Sequence, residues 1–557
     1  MEQARLLIAI VLSALIFLLW QFFFVDHEAN QQTAKKTEQP PVKEEQVKES
    51  KPYPKEQDVA AADKTPSTEE DVSIAASIPR SITVDTSFYQ AQLSERGGGV
   101  SSFILKKYRE NVAKDSPLQE LIPQKNSIES VVLGFAGKSL PGLDNAVFSA
   151  NLNVDAVNIQ DTAQEITFTW KSDEGVVVEK IYTFSPDSYL IGLDVTFKNG
   201  SDRSIQDKLF IALKGSTPAD TRMYGFEGPS ALIDEKLEEI DIKDIAEKNT
   251  YTGNLTWIAL QDRYFMMSVI PDQVEDGASM RLFLKEDDLL EAQYVGLADD
   301  IRPGTQHTYK YALFFGPKSM DILNNMGHDL GKALNFGMFT VLAKPCVWIM
   351  NKLYSVIPNY GIAIIILTIF IKLVLWPLGS KSYKSMSEMK KIQPLMKEIR
   401  EKYKNDKKKM NEEVMSLYRT YKINPLGGCL PMVVQLPVFF ALYRMLYQAI
   451  ELRHAPFLLW IDDLSAPDRL LHFGFSIPFM EPPYGIPVLT IIMGATMLLQ
   501  QKMSPPMGDP TQAKMMMFMP LIFTVIFINF SSGLVLYWLV NNVLSISQQY
   551  YIQKKFA

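Results

Sequence analysis

Cysteine is nearly absent. The chain of 557 residues contains two, Cys346 and Cys429, both in apolar segments far apart in sequence. That excludes a disulfide framework and a CxxC redox or zinc pair. Histidine is scarce as well: His27, His307, His328, His454 and His472 show neither HxxxH nor HxxEH spacing. A bound haem or catalytic metal is not expected on that pattern. No GxxxxGK(S/T) phosphate loop occurs, so direct use of ATP is not expected either. No cofactor is implied.

What is present divides into two materials. From Asp26 to Asn335 there are 32 basic and 50 acidic residues; the remainder holds 24 basic and 13 acidic. The long apolar runs lie in that basic remainder. The chain therefore reads as an acidic water-facing part joined to a basic membrane part.

Leu6 to Val25 carries no charge and would span about 30 Å as a helix, enough to cross a bilayer. Its bulky Trp20-Gln21-Phe22-Phe23-Phe24 end offers no small-residue cleavage site, so residues 1–25 read as an uncleaved anchor. Residues 26–80 are rich in Lys, Glu, Gln, Pro and Ser, a composition that cannot bury enough apolar surface to fold, and read as a disordered tether. Residues 81–318 turn to β patterning. Ile82–Val84, Ile166–Trp170, Val176–Val178, Leu193–Phe197, Trp257–Leu260 and Tyr309–Phe315 are β-rich or alternating runs. Turn signals such as Asp173-Glu174-Gly175 and Ser185-Pro186-Asp187 separate them. Many short strands with little helix suggest a large antiparallel β-sandwich.

Residues 319–360 connect to the apolar part. Phe336–Pro358 contains Lys344, Pro345 and Lys352 and suits an interfacial amphipathic helix better than a span. Residues 361–557 offer five spanning candidates: Ile362–Leu378, Leu426–Leu446, Tyr484–Met503, Lys514–Phe530 and Leu534–Ile552. Ser380–Asn424 carries 13 basic and 6 acidic residues, whereas Gln448–Pro483 carries 2 and 5. The basic connection belongs inside. Six spans then put both termini in the cytoplasm and the β domain outside. The fold class is a polytopic α-helical membrane protein with six transmembrane helices and a large external β-sandwich.

Within the cytoplasmic connection, residues 380–424, two apolar stripes recur at helical spacing: Met389, Ile392, Met396, Ile399, Tyr403, then Met410, Val414, Leu417, Tyr421. They flank a charged tip that includes Lys407, Lys408 and Lys409, the pattern of an antiparallel helical hairpin. The hairpin is either solvated and self-contained, or held by anionic lipid headgroups, or a basic docking surface for a cytosolic partner.

Lys372 lies inside the first of the five segments, with Thr368 one turn before it. A charge in a spanning helix costs ~3 kcal/mol or more and marks either a hydrated functional site or a side chain snorkelling to the headgroups. The five segments contain no acidic residue and no inverted repeat, which counts against a small-solute transporter. Gln435 and Asn541-Asn542 are the kind of amides that hold helices together. Met503, Met507, Met515, Met516, Met517 and Met519 either fill a core or form an adaptable apolar surface.

Several stretches carry a resemblance. Asn424-Pro425-Leu426-Gly427-Gly428-Cys429-Leu430-Pro431, Gln435–Tyr443, Gln500–Pro505, Phe518-Met519-Pro520 and Ser532–Trp538 resemble the YidC/Oxa/Alb family of membrane protein insertases. The layout of anchor, tether, β domain and five-helix core is similar to the family's Gram-negative YidC form. The resemblance implies a hydrated groove open to the cytoplasm, with a positive residue on the first core helix; Lys372 matches it. The family often has Arg there, so Lys372 supplies a point charge without a bidentate fork. Thr368, Gln435 and Trp538 match further groove positions. Met515, Met516, Met519 and Lys407–Lys409 are expected to contact clients or partners. The β domain would be supersandwich-like, related to sugar-binding folds. The implied role is a non-enzymatic insertase and chaperone in the bacterial inner membrane. Its partners would be nascent membrane proteins and lipid, with a Sec-type translocon, ribosome and targeting receptor, and no DNA. A membrane-tethered glycan-binding protein acting through the β domain is the other alternative.

Overall fold

The computed structural model describes residues 79–124, 128–217, 226–285, 288–421, 423, 430–504 and 510–556. The expected anchor, nearly all of the tether and the Asn424–Cys429 stretch lie outside the described residues. Pro79–Glu401 and Glu413–Ala557 form one compact unit; the hairpin tip, Lys402–Glu412, groups apart and is described on its own.

The β-rich part follows the alternation in its sequence. Nine strands form one sheet in the order Lys236–Glu239, Gly228–Ile233, Leu255–Gln261, Phe265–Pro271, Gln306–Pro317, Leu190–Asn199, Val176–Phe184, Gln164–Lys171, Ser149–Ala150. Every pairing in it is antiparallel. A five-stranded antiparallel sheet runs Thr250–Gly253, Ala278–Lys285, Leu289–Ile301, Ile205–Ser216, Val132–Phe135. A second five-stranded sheet contains Gly99–Arg109, Tyr89–Ser94 and Ser81–Asp85. Leu255–Gln261 of the large sheet lies against Ile205–Ser216 and Leu289–Ile301 of its neighbour. Trp257, Tyr294, Phe103, Phe168, Phe197 and Phe314 are fully buried in the resulting core. Burial of each such side chain contributes ~1.5–3 kcal/mol. The strands expected from periodicity all form.

Lys180 sits in this core. Gly97 and Gly98 turn through left-handed φ values of 63° and 52°, where a side chain is costly. Their carbonyls point inward: Gly97 O and Val131 O accept from Lys180 Nζ at 3.1 and 2.9 Å. Gly98 O accepts from Tyr182 OH at 2.7 Å. Burial pushes the fully enclosed Lys180 ammonium down to about 7 because the charged form loses its hydration.

The helical part comprises α1 (Met320–Met326), α2 (Thr340–Val356), α3 (Tyr360–Val374), α4 (Trp376–Lys402), α5 (Lys407–Thr420), α6 (Leu430–Gln448), α7 (Val488–Met503), α8 (Pro510–Phe527) and α9 (Ser532–Phe556). Among the described residues no single helix is both long and apolar enough to cross a membrane. The pair α3 and α4 passes together, bent by 65°. The expected single segment Ile362–Leu378 is thus broken at Leu375. Pro377, the second residue of α4, has no N–H to continue the ladder and disfavours helical backbone at the residue before it. The expected segment Tyr484–Met503 also starts late, because Tyr484–Ile486 pairs as a strand with Leu470–Phe473.

In the expected hairpin, Met389, Ile392, Met396 and Ile423 are buried with Val414, Leu417 and Tyr418 packed on them. Tyr418 takes the place expected for Tyr421, which is exposed. The Tyr418 hydroxyl lies 3.6 Å from Met396 Sδ.

Several polar contacts tie the β-rich part to the connection between α6 and α7. Arg263 Nε donates to Tyr447 O at 2.6 Å and its guanidinium covers the Tyr447 ring at 3.7 Å. Ser319 Oγ donates to Glu451 Oε1 at 3.0 Å. Arg453 reaches Glu110 O and Gln119 Oε1 at 3.2 and 2.9 Å.

Candidate functional site

Residues of α3 four apart share a face. Ile364, Leu367 and Thr368 are buried, while Ile369, Phe370, Leu373 and Val374 are exposed. Lys372 continues the inner stripe one turn after Thr368 and is half-buried. The Thr368 hydroxyl donates back to Ile364 O at 2.7 Å, which satisfies it within its own helix.

Lys372 turns towards α9. Its Nζ donates to Ser545 Oγ at 2.6 Å and lies 3.5 Å from Asn541 Oδ1. Ser545 Oγ in turn donates to Asn541 O at 2.7 Å. Gln435 Nε2, from α6, donates to the same Asn541 Oδ1 at 2.8 Å. Lys372 and Gln435, separated by a helix in space, therefore meet through one amide. Among the described residues no carboxylate pairs with Lys372. The cluster is a cationic site rich in donors, with neutral acceptors only.

Trp538 lies one turn before Asn541 on α9. Its ring packs on Phe439 at 4.7 Å, Phe527 at 4.9 Å and Phe523 at 6.4 Å, giving the polar cluster an aromatic wall from α6 and α8. Met516 and Met519 lie on α8 before Phe523, and Met519 is exposed. The Met515 and Lys407 side chains lie outside the described residues. Asp406 Oδ1 accepts from the backbone N–H of Lys409 at 3.0 Å, capping α5, while Lys408 and Lys409 are exposed. The structure brings Lys372 and Gln435 together through Asn541.

Ser545 is the residue that sequence reasoning missed. A signal existed: Asn541, Ser545 and Gln548 recur at 4-3 spacing, a polar stripe along an apolar helix. Gln548 Nε2 donates to Trp376 O and Ser380 Oγ at 3.1 and 3.2 Å, so the stripe continues across the α3–α4 break. Among the described residues no group of three or more His, Cys, Asp or Glu could hold a metal ion.

Lysine offers three N–H donors, and Lys372 spends two of them on neutral oxygens. A carboxylate is a stronger acceptor than either.

The profile described as YidC periplasmic domain matches residues 81–349, and that described as 60Kd inner membrane protein matches 352–557. "Membrane protein insertase YidC" of Syntrophus aciditrophicus is 40% identical over 99% of this chain and 99% of its own. The protein of the same name from Syntrophobacter fumaroxidans is 42% identical over 85% and 86%. A solved structure titled "Active YidC insertase crystal structure with the first transmembrane domain resolved" covers 85% of this chain and 95% of its own, at 18% identity and a TM-score of 0.37. The chain belongs to the YidC family of membrane protein insertases.

Proposed function

We propose that this chain inserts integral proteins into the bacterial inner membrane and assists their folding, by way of the cluster around Lys372. Six spans are proposed: the N-terminal anchor, the bent α3–α4 pair, and α6, α7, α8 and α9. Both termini are then cytoplasmic and the β-rich domain periplasmic. The observation that carries the reading is a lysine held by Ser545 and Asn541 between helices whose other faces are apolar and exposed, in a chain 40% identical along its whole length to a membrane protein insertase.

Two features of the helices support it. Ile491, Ile492, Leu498 and Leu499 of α7 and Leu521, Ile522, Val525 and Ile526 of α8 are exposed, more apolar surface than a water-soluble monomer tolerates. At 1.5 Å per residue, α7 is ~24 Å long, short of a ~30 Å hydrocarbon core, so the bilayer beside it would thin. A thinner, hydrated path lowers the barrier for a client's polar flank. Lys372 attracts acidic parts of that flank, and apolar segments partition into lipid alongside the exposed faces, which drives the net transfer. No nucleotide is required.

A Sec-type translocon, the ribosome and a targeting receptor are proposed as partners on the cytoplasmic side, with Lys408 and Lys409 on the exposed hairpin as a contact surface. The test is protease protection of a single-span reporter in proteoliposomes without ATP. Protection above empty liposomes is expected; equality with empty liposomes would refute the reading.

A further inference from the structure

Where the β-rich part meets the connection after α6, a cavity of about 480 Å³ opens. Strand Gly99–Arg109 contributes Lys106, Lys107 and Arg109 to its lining; the connection contributes Glu451, Arg453 and His454. Lys106 is committed to Asp85 at 2.7 Å. Among the described residues no carboxylate pairs with Lys107, Arg109 or Arg453. Lys107 Nζ rests 3.9 Å from the Phe88 ring centroid, and Arg109 donates once, to Ser116 O at 2.6 Å. The cavity's own acid is Glu451, which accepts from Ser319 and whose carboxyl burial raises above its ordinary range. His454 is pushed the other way by burial and by Arg453 beside it. The lining therefore carries four cations, Lys106, Lys107, Arg109 and Arg453, against the single carboxyl of Glu451.

The rim is of a different kind. Tyr360, at the start of α3, lines the cavity and stacks on Tyr354 at 3.9 Å and 8°. Next to that pair Val356 and Ile357 are exposed. Paired tyrosines beside exposed aliphatics mark a membrane–water boundary.

We propose that this cavity binds the phosphate of an anionic phospholipid of the outer leaflet, with Lys107, Arg109 and Arg453 as donors and the acyl chains along the Tyr354–Ile357 rim. A phosphodiester supplies two charged oxygens, which match the fork of a guanidinium and the point charge of an ammonium. Cationic pockets next to a bilayer surface select such headgroups. A soluble anion would satisfy the same donors but would leave the apolar rim in water, which favours the lipid. The choice of leaflet rests on the periplasmic placement of the β-rich domain; the binding does not.

The test is lipid retention by the full chain in detergent, read by native mass spectrometry with phosphatidylglycerol or phosphatidylcholine. Preferential retention of phosphatidylglycerol is expected, weakened about tenfold in Lys107→Gln/Arg109→Gln. Lys107→Arg/Arg109→Lys should retain it, and so should Lys171→Gln/Lys236→Gln, which removes two exposed charges elsewhere. Equal retention of the two lipids, equal weakening by both neutralised pairs, or displacement by inorganic phosphate would each overturn the proposal.

Discussion

The Lys372 ammonium lies 2.6 Å from the Ser545 hydroxyl, so the charge that stands alone in the sequence of α3 is held by the polar stripe of α9. The same stripe carries Asn541, whose Oδ1 is shared between Lys372 and Gln435. Three helices thus converge on one amide oxygen, and the energetics of that oxygen are measurable.

Asn541→Ala removes an acceptor from two donors at once and is expected to cost about 1–2 kcal/mol, more than Gln435→Ala. A double-mutant cycle between Gln435 and Asn541 should give a coupling of about 0.6 kcal/mol, the usual size for a hydrogen bond between membrane helices. Thermal unfolding of the detergent-solubilised protein measures both; a coupling of zero would mean that the amide pair holds nothing.

A second stability test concerns Arg469. This buried side chain donates to Pro483 O, Asp468 O and Ile528 O at 2.8, 2.9 and 2.8 Å, and Asn529 Oδ1 lies 3.3 Å away. The preceding Asp468 carboxylate accepts from Trp460 Nε1 at 2.5 Å and from the Leu489 backbone N–H. Opposite charges thus meet the start of α7 and the end of α8, each the favourable sign for its helix dipole. Arg469→Met keeps the apolar stem and loses the donors. A loss of about 3 kcal/mol is expected, with faster amide exchange across residues 463–487. Unchanged exchange there would show that the loop stands without it.

Lys180 predicts a pH dependence in the β-rich part. Its pKa is pushed down to about 7 when folded, against 10.5 ordinarily. Between those values the unfolded chain binds a proton that the folded chain does not, so this group makes stability rise with pH by about 1.4 kcal/mol per unit. Below pH 7 both states are protonated and its contribution is flat. Lys318, also buried with a lowered pKa, adds a slope of the same sign. Lys180→Met should therefore gain on the wild type as pH falls from 9 towards 7. Urea unfolding of the full chain, followed by pulse proteolysis of the β strands, reads the difference; parallel curves would contradict it.

Packing between α7 and α8 can be tested at Gly494. A Cβ there would collide with the Thr524 side chain, whose hydroxyl is occupied by Pro520 O at 2.7 Å. Gly494→Leu should separate the helices and cost about 1–3 kcal/mol, seen as a lower thermal midpoint. Gly474→Ala, where an added Cβ meets nothing within 4 Å and the backbone is not left-handed, should cost less.

Much of this was legible in the sequence. The strands follow from alternation because each presents one face to a core. Lys372 stood out because a lone charge in an apolar helix is expensive. Pairing across distance was less legible. Pro377 signalled the break at Leu375, yet the apolar run continues to Leu378 and masks it. Asn541 read as a helix–helix contact, which it is, but its partners on two other helices depend on how α3, α6 and α9 converge. Arg469 entered only as one of the two basic residues counted in Gln448–Pro483, since its acceptors are carbonyls that no side-chain pattern reveals.

The most direct test of the central claim varies charge on both sides. Single-span reporters with an acidic or a neutral outer tail are offered to proteoliposomes containing the wild type, Lys372→Ala or Lys372→Arg, without ATP. Protection of the acidic-tail reporter should fall about fivefold in Lys372→Ala, the factor carried by ~1 kcal/mol of lost charge-assisted hydrogen bonding. It should hold in Lys372→Arg, and the neutral-tail reporter should respond to neither substitution. Equal protection of the acidic-tail reporter by all three proteins would contradict a working charge at Lys372.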